Sequence, residues 1–180
     1  LLGIFWIMFS NKIKVFLLTS VCIIFFFFTY LEVKSQETKT IEGNAFVVDG
    51  DTIKINGEKI RFSGIDAPES YYKGKEQICF KEDERISCGK LSKAFLIKAI
   101  NNHKVICEIE AKPDRYKRKL GECFVKQKSL SRILVRNGYA FDYPRYSKKK
   151  YAEDQEFAKN NKLGLWDMKF EFPWDFRKNN

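Results

Sequence analysis

Residues 47–69 read VVDGDTIKINGEKIRFSGIDAPE, and this stretch carries the strongest structural signals in the chain. Asn56-Gly57 lies between alternating apolar residues, which is a strong β-hairpin signal because both residues accept the positive φ of a type I′ turn. A two-residue loop at this point pairs Ile53 with Ile60. The pattern therefore predicts two antiparallel strands joined by a tight turn.

The same register pairs Thr52 with Arg61, which places Arg61 at the end of the hairpin where Asp51 lies. A strand rises about 3.3 Å per residue, so Asp66 is too far along a straight ladder to meet Asp51. We expect the chain to bend at Ser63-Gly64, because glycine in a strand commonly marks a bulge or a barrel corner. The bent hairpin then gathers three carboxylates beside Arg61, namely those of Asp51, Asp66 and Glu69. Three carboxylates and a guanidinium in one place suit a hard cation and a phosphate.

This stretch and a second one further along the chain form two ordered motifs that resemble the signatures of the thermonuclease (staphylococcal nuclease-like) family. The first comprises DGDT at 49–52, Arg61 and IDAPE at 65–69, and the second is DRYKR at 114–118. The family usually has D-[KR]-Y-G-R at the second motif. The resemblance covers roughly residues 41–170. It implies a small Greek-key barrel of the oligonucleotide-binding (OB) type and a nuclease activity.

One residue departs from the second motif. Lys117 stands where the family usually has glycine. A glycine at this position is typical of a turn with positive φ, where lysine is strained. The departure therefore bears on how the side chain of Arg118 is aimed.

A divalent cation is expected at the first motif. We assign Asp51 and Asp66 as its ligands, with the backbone carbonyl of Ala67 as a third. Mixed carboxylate, carbonyl and water ligation suits Ca²⁺, whose coordination is loose and rich in oxygen. The resemblance implies calcium as well, although the sequence alone leaves magnesium open.

Three side chains are candidates for the catalytic work on a phosphodiester. Glu69 is the expected general base or the group that orients the attacking water, and the sequence leaves both roles open. Arg61 and Arg118 would clamp the scissile phosphate, because a planar guanidinium offers paired donors to two oxygens.

Four further residues are candidates for binding substrate. The resemblance implies that Arg115 and Tyr116 contact a terminal phosphate of the bound nucleotide. Tyr143 or Tyr146 could stack on a base, as aromatic side chains do in grooves that bind single strands. The expected partner is DNA or RNA, with a preference for single strands, and the expected protein is a monomer.

A different class of function is a barrel that binds nucleic acid or another polyanion without cleaving it. Inactive relatives of the family typically lose the carboxylates or the arginines. Both sets are present in this chain, which favours the enzyme.

The coarse pattern of the chain predicts an α+β fold, a five-stranded OB-fold Greek-key β-barrel with about three helices. The strands are the first at 41–48, the two of the hairpin, and two more at 105–109 and 119–125. The helices are expected at 91–100, 129–135 and 148–161. Residues 70–83 show no period and are predicted to form a loop, and 164–174 form an aromatic tail that packs back on the domain.

The amino end is a separate segment. Residues 15–30 carry no charge and follow Lys12 and Lys14, which predicts a signal peptide cleaved after Ser35 or an uncleaved membrane anchor. Either reading predicts an extracytoplasmic domain that is secreted, periplasmic or held at a membrane. The resulting division is a signal or anchor at 1–35, a linker at 36–40, the thermonuclease-like domain at 41–170 and a tail at 171–180.

Charge and cysteine content agree with this division. The formal net charge is +10, and a basic excess favours polyanionic partners, a membrane surface or a cell wall. Five cysteines become four when Cys22 is removed with the signal, an even set that suits disulfides in an oxidising compartment. Strand positions favour the bridge Cys107–Cys123, which leaves Cys79–Cys88. A zinc site is disfavoured because there is no C-x-x-C spacing and only one histidine.

Overall fold

The computed structural model describes residues 39–180. The predicted signal or anchor at 1–35 and most of the predicted linker lie outside the described residues. The strands are β1 (Lys39–Gly43), β2 (Ala45–Asp49), β3 (Thr52–Ile55), β4 (Glu58–Phe62), β5 (Ile65–Asp66), β6 (Ile78–Lys81), β7 (Glu84–Ser87), β8 (Val105–Ile109), β9 (Lys119–Val125), β10 (Lys128–Ser129) and β11 (Phe141–Asp142). The helices are α1 (Cys88–Ile100), α2 (Leu130–Arg136), α3 (Pro144–Ser147), α4 (Ala152–Asn160), a 3₁₀ turn (Gly164–Asp167) and α5 (Pro173–Asn179).

A mixed sheet forms the centre of the described part of the chain. Its strand order is β1-β8-β9-β4-β3-β2, and β10 adds to β9. All of its pairings are antiparallel except that of β4 with β9, which is parallel. The sheet curls into a half-barrel, and the predicted α+β OB-type fold is confirmed.

The predicted hairpin is confirmed in its register and its turn. Ile53 pairs with Ile60. Asn56 and Gly57 both have positive φ, at 49° and 85°. The strand ends at Phe62 and the chain turns through Gly64, whose φ is 74°. The predicted corner is therefore present, and β5 begins immediately after it.

The loop predicted at 70–83 is wrong in its second half, where β6 and β7 form a hairpin. Its turn passes through Glu82, which has a φ of 54°. A bridge between Phe80 and Lys169 adds the aromatic tail to this hairpin, so tertiary pairing supplies the order that the local sequence lacks.

The helices also differ from prediction at their ends. The helix expected from Lys148 starts at Ala152, because Lys148 and Lys149 have left-handed backbones with φ of 53° and 68°. Two short helices, α3 and α5, were not predicted, and each begins with a proline, which suits the first turn of a helix.

Two hydrophobic clusters stabilise the fold of residues 39–180. The larger fills the half-barrel beneath α1 and α2. The smaller is centred on Phe141 and Leu165, and the aromatic tail packs around it through Trp166, Phe170, Phe172 and Trp174. The prediction that the tail returns to the domain is confirmed. Within residues 39–180, no helix is both long and apolar enough to cross a membrane.

Both expected cysteine pairs are brought together. The Cα atoms of Cys107 and Cys123 face each other across β8 and β9 at 4.0 Å, and those of Cys79 and Cys88 are 5.6 Å apart. Bridges of this kind stabilise a fold by about 2–4 kcal/mol.

We expect non-reducing peptide mapping of the purified protein to recover Cys79 linked to Cys88 and Cys107 linked to Cys123. The pairing follows from the register of β8 with β9 and from the approach of β6 to the start of α1. A reduced and alkylated sample is the control. Recovery of Cys79 linked to Cys107, or of four alkylatable thiols in the unreduced protein, would contradict both pairs.

Candidate active site

A cleft of about 1020 Å³ opens beside the β3–β4 hairpin. Its walls come from the hairpin, the segment after β5, the turn before β9, helix α3 and helix α5. Seven basic side chains line it: Lys59, Arg61, Lys73, Arg115, Arg118, Arg145 and Arg177. The acidic side chains that line it are Asp49, Asp51, Glu69, Glu110 and Asp114.

Arg61 joins the two carboxylates predicted to hold a metal. Its Nη1 donates to Asp51 Oδ1 at 2.7 Å, and its Nη2 donates to Asp66 Oδ1 at 2.6 Å. The Asp66 side chain is 0% exposed and that of Arg61 only 15%. Such an ion pair leaves a costly buried charge if either partner is removed.

Asp51 also organises the chain around it. Its Oδ1 accepts a hydrogen bond from Thr52 Oγ1 at 2.9 Å, and its Oδ2 accepts one from the backbone N–H of Ala67 at 3.0 Å. This second bond fixes the start of the segment that carries Glu69. The DGDT motif therefore positions the IDAPE motif directly.

Asp49 is the second tie between the two motifs. Its Oδ1 accepts from Gly50 N–H at 2.8 Å and from Ser70 Oγ at 2.6 Å. Burial raises the pKa of Asp49, and the Ser70 hydrogen bond opposes that rise. Asp49 thus closes the Glu69 segment at its far end.

The sequence predicts Glu69 in the same cluster as Arg61, and in the structure its carboxylate accepts a hydrogen bond from Arg177 of α5. The Nη1 of Arg177 donates to Glu69 Oε1 at 2.6 Å and to Asp66 Oδ1 at 3.1 Å, while its Nη2 donates to Asp66 Oδ2 at 2.5 Å. Sequence reasoning missed Arg177. It lies beyond both motifs, and the only local signal was Pro173 at the start of a short amphipathic segment.

The electrostatics of this cluster are set by burial and by the two guanidinium groups. Burial raises the pKa of Asp66 and of Glu69, and hydrogen bonds from Arg177 oppose the rise in both. Burial alone would lower the pKa of Arg61 and of Arg177, but the carboxylates outweigh it and raise both. The carboxylates therefore require positive charge beside them to stay ionised.

Two neighbours fix the backbone of Glu69. The side-chain oxygen of the buried Gln77 accepts from Glu69 N–H at 3.0 Å, and its amide donates to the carbonyl of Glu171 at 2.7 Å. Gly89, at the start of α1, lies against the same segment. A Cβ built on Gly89 would be 2.2 Å from the carbonyl carbon of Glu69.

We expect Gly89→Ala to destabilise the fold by about 1–3 kcal/mol through overpacking and to lower any turnover that depends on Glu69. Alanine in a helix is by itself worth about 1 kcal/mol over glycine, so a net loss would identify the clash. Denaturant unfolding measures the first effect. Lys98→Ala, on the exposed face of the same helix, is the control and should change stability by less than about 0.5 kcal/mol. A stabilised Gly89→Ala variant would contradict the close approach.

The second motif forms a tight turn around Asp114. Its Oδ1 accepts the backbone N–H groups of Tyr116 and Arg118 at 2.9 Å each, and its Oδ2 accepts from Arg118 Nε at 2.7 Å. Although partial burial raises the pKa of Asp114, the hydrogen bonds from Arg118 lower it on balance. Lys117 has a φ of 60°, so the turn does need the left-handed backbone that a glycine would supply. Arg118 is nevertheless aimed and held by Asp114.

The predicted substrate-binding residues lie on the rim of this cleft. Tyr116 is 63% exposed, and the guanidinium of Arg115 lies 4.8 Å from its ring centroid. Tyr143 and Tyr146 make an edge contact at 4.8 Å. One face of Tyr143 is covered by Trp174, stacked at 5.1 Å, which leaves Tyr146, at 62% exposure, the more open ring.

Within residues 39–180, no three His, Cys, Asp or Glu side chains are arranged to hold a metal ion. The oxygens of Asp66 instead face Arg61 and Arg177. The donor set is chemically suited to a hard divalent cation, since it offers buried carboxylate oxygens and a neighbouring backbone carbonyl at Ala67. In the structure these carboxylates are paired with the guanidinium groups of Arg61 and Arg177.

The family model for staphylococcal nuclease homologues matches residues 59–168. The succinoglycan biosynthesis protein ExoI of Rhizobium meliloti (strain 1021) is 38% identical over 131 residues, which are 70% of this chain and 64% of that protein. Endonuclease YhcR of Bacillus subtilis (strain 168) is 33% identical over 149 residues, 73% of this chain and 12% of that protein. Staphylococcal-like nuclease CAN1 of Arabidopsis thaliana is 30% identical over 125 residues, 67% of this chain and 33% of that protein.

The chain spans less than two thirds of the length of each of these relatives. The matched region contains Arg61, Asp66, Glu69 and the whole DRYKR turn, and Asp51 lies just before it. The cleft, the half-barrel and the two motifs agree with the match, and the chain belongs to the family of staphylococcal nuclease homologues.

Proposed function

We propose that this protein is a metal-dependent nuclease that hydrolyses phosphodiester bonds of DNA or RNA. The observation that carries the proposal is the convergence of Asp51, Arg61, Glu69 and Arg118 on one basic cleft. Hydrolysis of a phosphodiester requires charge to be neutralised on the phosphoryl oxygens and a water to be aligned with phosphorus, and most of this work is positioning and electrostatics.

The arginines bind and orient the phosphate. Arg61 is held rigidly by Asp51 and Asp66, and Arg118 by Asp114, so both guanidinium groups are set in place before substrate arrives. Preorganised donors cost no reorganisation during the reaction, which is why they stabilise a transition state better than water does. Arg115 and Tyr116, which line the same cleft, would hold a terminal phosphate of the bound nucleotide.

Glu69 orients the attacking water or takes its proton. Its raised pKa, caused by burial, moves it toward the range in which a carboxylate is an effective base. Its backbone is fixed by Gln77 and Gly89, so the carboxylate has a defined position in the cleft.

Asp51 and Asp66, with the carbonyl of Ala67, would hold the divalent cation, and we propose Ca²⁺. When bound, the cation supplies positive charge beside the phosphoryl oxygens. The carboxylates suit this role because they offer buried anionic oxygens to a hard cation, and a buried carboxylate needs positive charge beside it.

We propose single-stranded nucleic acid as the preferred substrate and a monomer as the active form. Exposed aromatic rings at Tyr116 and Tyr146, interleaved with arginines along the cleft, suit bases that are free to stack. We also propose an extracytoplasmic location, supported by the two cysteine pairs at bonding distance. The signal or anchor at 1–35, with the domain limits given above, belongs to this proposal.

A zymogram of the purified protein on denatured DNA and on RNA tests the function. We expect cleavage with calcium and none with a chelator, and recovery when calcium is restored. Binding of a labelled single strand without cleavage in calcium would instead identify a non-catalytic OB-fold protein, the alternative class of function.

A further inference from the structure

Arg177 is a further active-site residue that neither motif contains. It lies after the region matched by the family, on a short helix at the carboxyl end of the chain. Its guanidinium contacts both oxygens of Asp66 and one oxygen of Glu69. A predicted metal ligand and the predicted catalytic carboxylate are thus bound by one side chain.

The contact is not needed to hold helix α5 on the domain. Phe176 is buried, with its ring centroid 6.4 Å from that of Tyr72, and Trp174 stacks on Tyr143 at 5.1 Å. Lys75 Nζ donates to the Asn180 side chain at 2.7 Å. The guanidinium itself ends a flexible side chain that is 23% exposed at the cleft. It can therefore move while the helix stays in place.

We propose that Arg177 is an internal cation that competes with the divalent metal for Asp66 while it also pairs with Glu69. The proposal rests on the metal-dependent function given above. Arg177 contacts both oxygens of Asp66, at N–O distances of 3.1 and 2.5 Å, and so occupies the carboxylate edge at which a Ca²⁺ ion would bind at about 2.3–2.6 Å.

Electrostatics make the two occupants exclusive. A guanidinium and a divalent ion a few ångströms apart repel strongly in a site screened from water. Asp66 is fully buried beneath Arg61 and Arg177, so an ion reaches its Oδ2 only when Arg177 has moved. In the metal-free protein Arg177 keeps the carboxylates paired, and metal entry releases it.

Calcium titration by calorimetry at fixed ionic strength tests the competition. We expect Arg177→Gln to bind calcium about 5- to 150-fold more tightly than wild type, the range typical of coupled sites. Arg177→Lys, which keeps the charge but cannot bind Asp66 through two nitrogens, should lie between them. Lys178→Gln removes the same charge from the exposed face of the same helix and should change the affinity less than about twofold.

Thermal unfolding with and without calcium is a second test. A purely structural role of Arg177 predicts the same destabilisation in both conditions, whereas competition with the metal predicts a difference. In chelator, Arg177→Gln should melt about 4 °C or more below wild type, because it leaves buried carboxylates unpaired. In saturating calcium the difference should shrink or reverse. A variant that is equally destabilised in both conditions would overturn the competition, as would one that binds calcium with wild-type affinity.

Calcium binding and DNA cleavage, measured on the same two proteins, separate the role of Arg177 from the nuclease activity. Wild type and Arg177→Gln that bind calcium equally and cleave DNA would overturn the role of Arg177 and leave the nuclease intact. Tighter calcium binding by Arg177→Gln without cleavage by either protein would support the competition and overturn the nuclease. If neither protein binds calcium, the metal site and the competition both fall.

Discussion

We expect Glu69→Gln to lower turnover on denatured DNA by about two to four decades, the contribution typical of a positioned general base. The amide keeps the shape of the side chain, and its oxygen can still accept the hydrogen bond from Arg177. Folding and calcium binding should therefore survive. Affinity for a short single strand should stay within about tenfold of wild type and fall steeply with added salt in both proteins.

The control for this prediction is Glu110→Gln, which removes the same charge from the wall of the same cleft. Its turnover should remain close to that of wild type. If Glu69→Gln cleaves as fast as wild type, Glu69 has no part in the mechanism. A protein that only binds nucleic acid would have no turnover to lose and would bind slightly more tightly without the carboxylate.

We expect Arg61→Ala to be the most destabilising of the active-site changes, by about 3–5 kcal/mol in the presence of chelator. Removal of the guanidinium leaves Asp51 without its ion pair and Asp66 with only Arg177, and both carboxylates are buried. Denaturant unfolding monitored by circular dichroism measures the change.

Arg118→Ala is the matched comparison. Its ion pair with Asp114 lies nearer the surface, so we expect a loss of stability of no more than about 1 kcal/mol. Turnover should still fall by about 10²–10³, the typical cost of losing one preorganised donor. Equal stability of the Arg61 and Arg118 variants would show that the buried ion pair of Arg61 does not support the fold.

The elements that could be predicted are those governed by neighbouring residues. Asn56-Gly57 determines a turn, the turn determines the pairing of Ile53 with Ile60, and that pairing brings Arg61 to Asp51. Lys117 could be assigned a left-handed backbone because the family has glycine there. Each inference spans a few residues or one motif.

The missed elements depend on contacts between distant parts of the chain. The hairpin of β6 and β7 is stabilised by the bridge from Phe80 to Lys169, which its own sequence does not reveal. Arg177 meets Asp66 across 111 residues, and nothing in the composition of the tail distinguishes it from a solvated arginine. Local sequence motifs therefore do not identify a residue that reaches the site from a helix far along the chain.

The parallel pairing of β4 with β9 has a consequence for how the chain folds. The β3–β4 hairpin closes over a two-residue turn, whereas Ile60 and Lys119 pair only after all the chain between them has been drawn into a loop. Loop-closure entropy makes such a non-local contact late and slow. We expect the hairpin to form early and the docking of β9 on β4 to limit the refolding rate. Substitutions at Ile60, which pairs with Lys119 of β9, should then mainly slow refolding. We expect helix α5 to dock after this step, so substitutions in α5 should mainly speed unfolding.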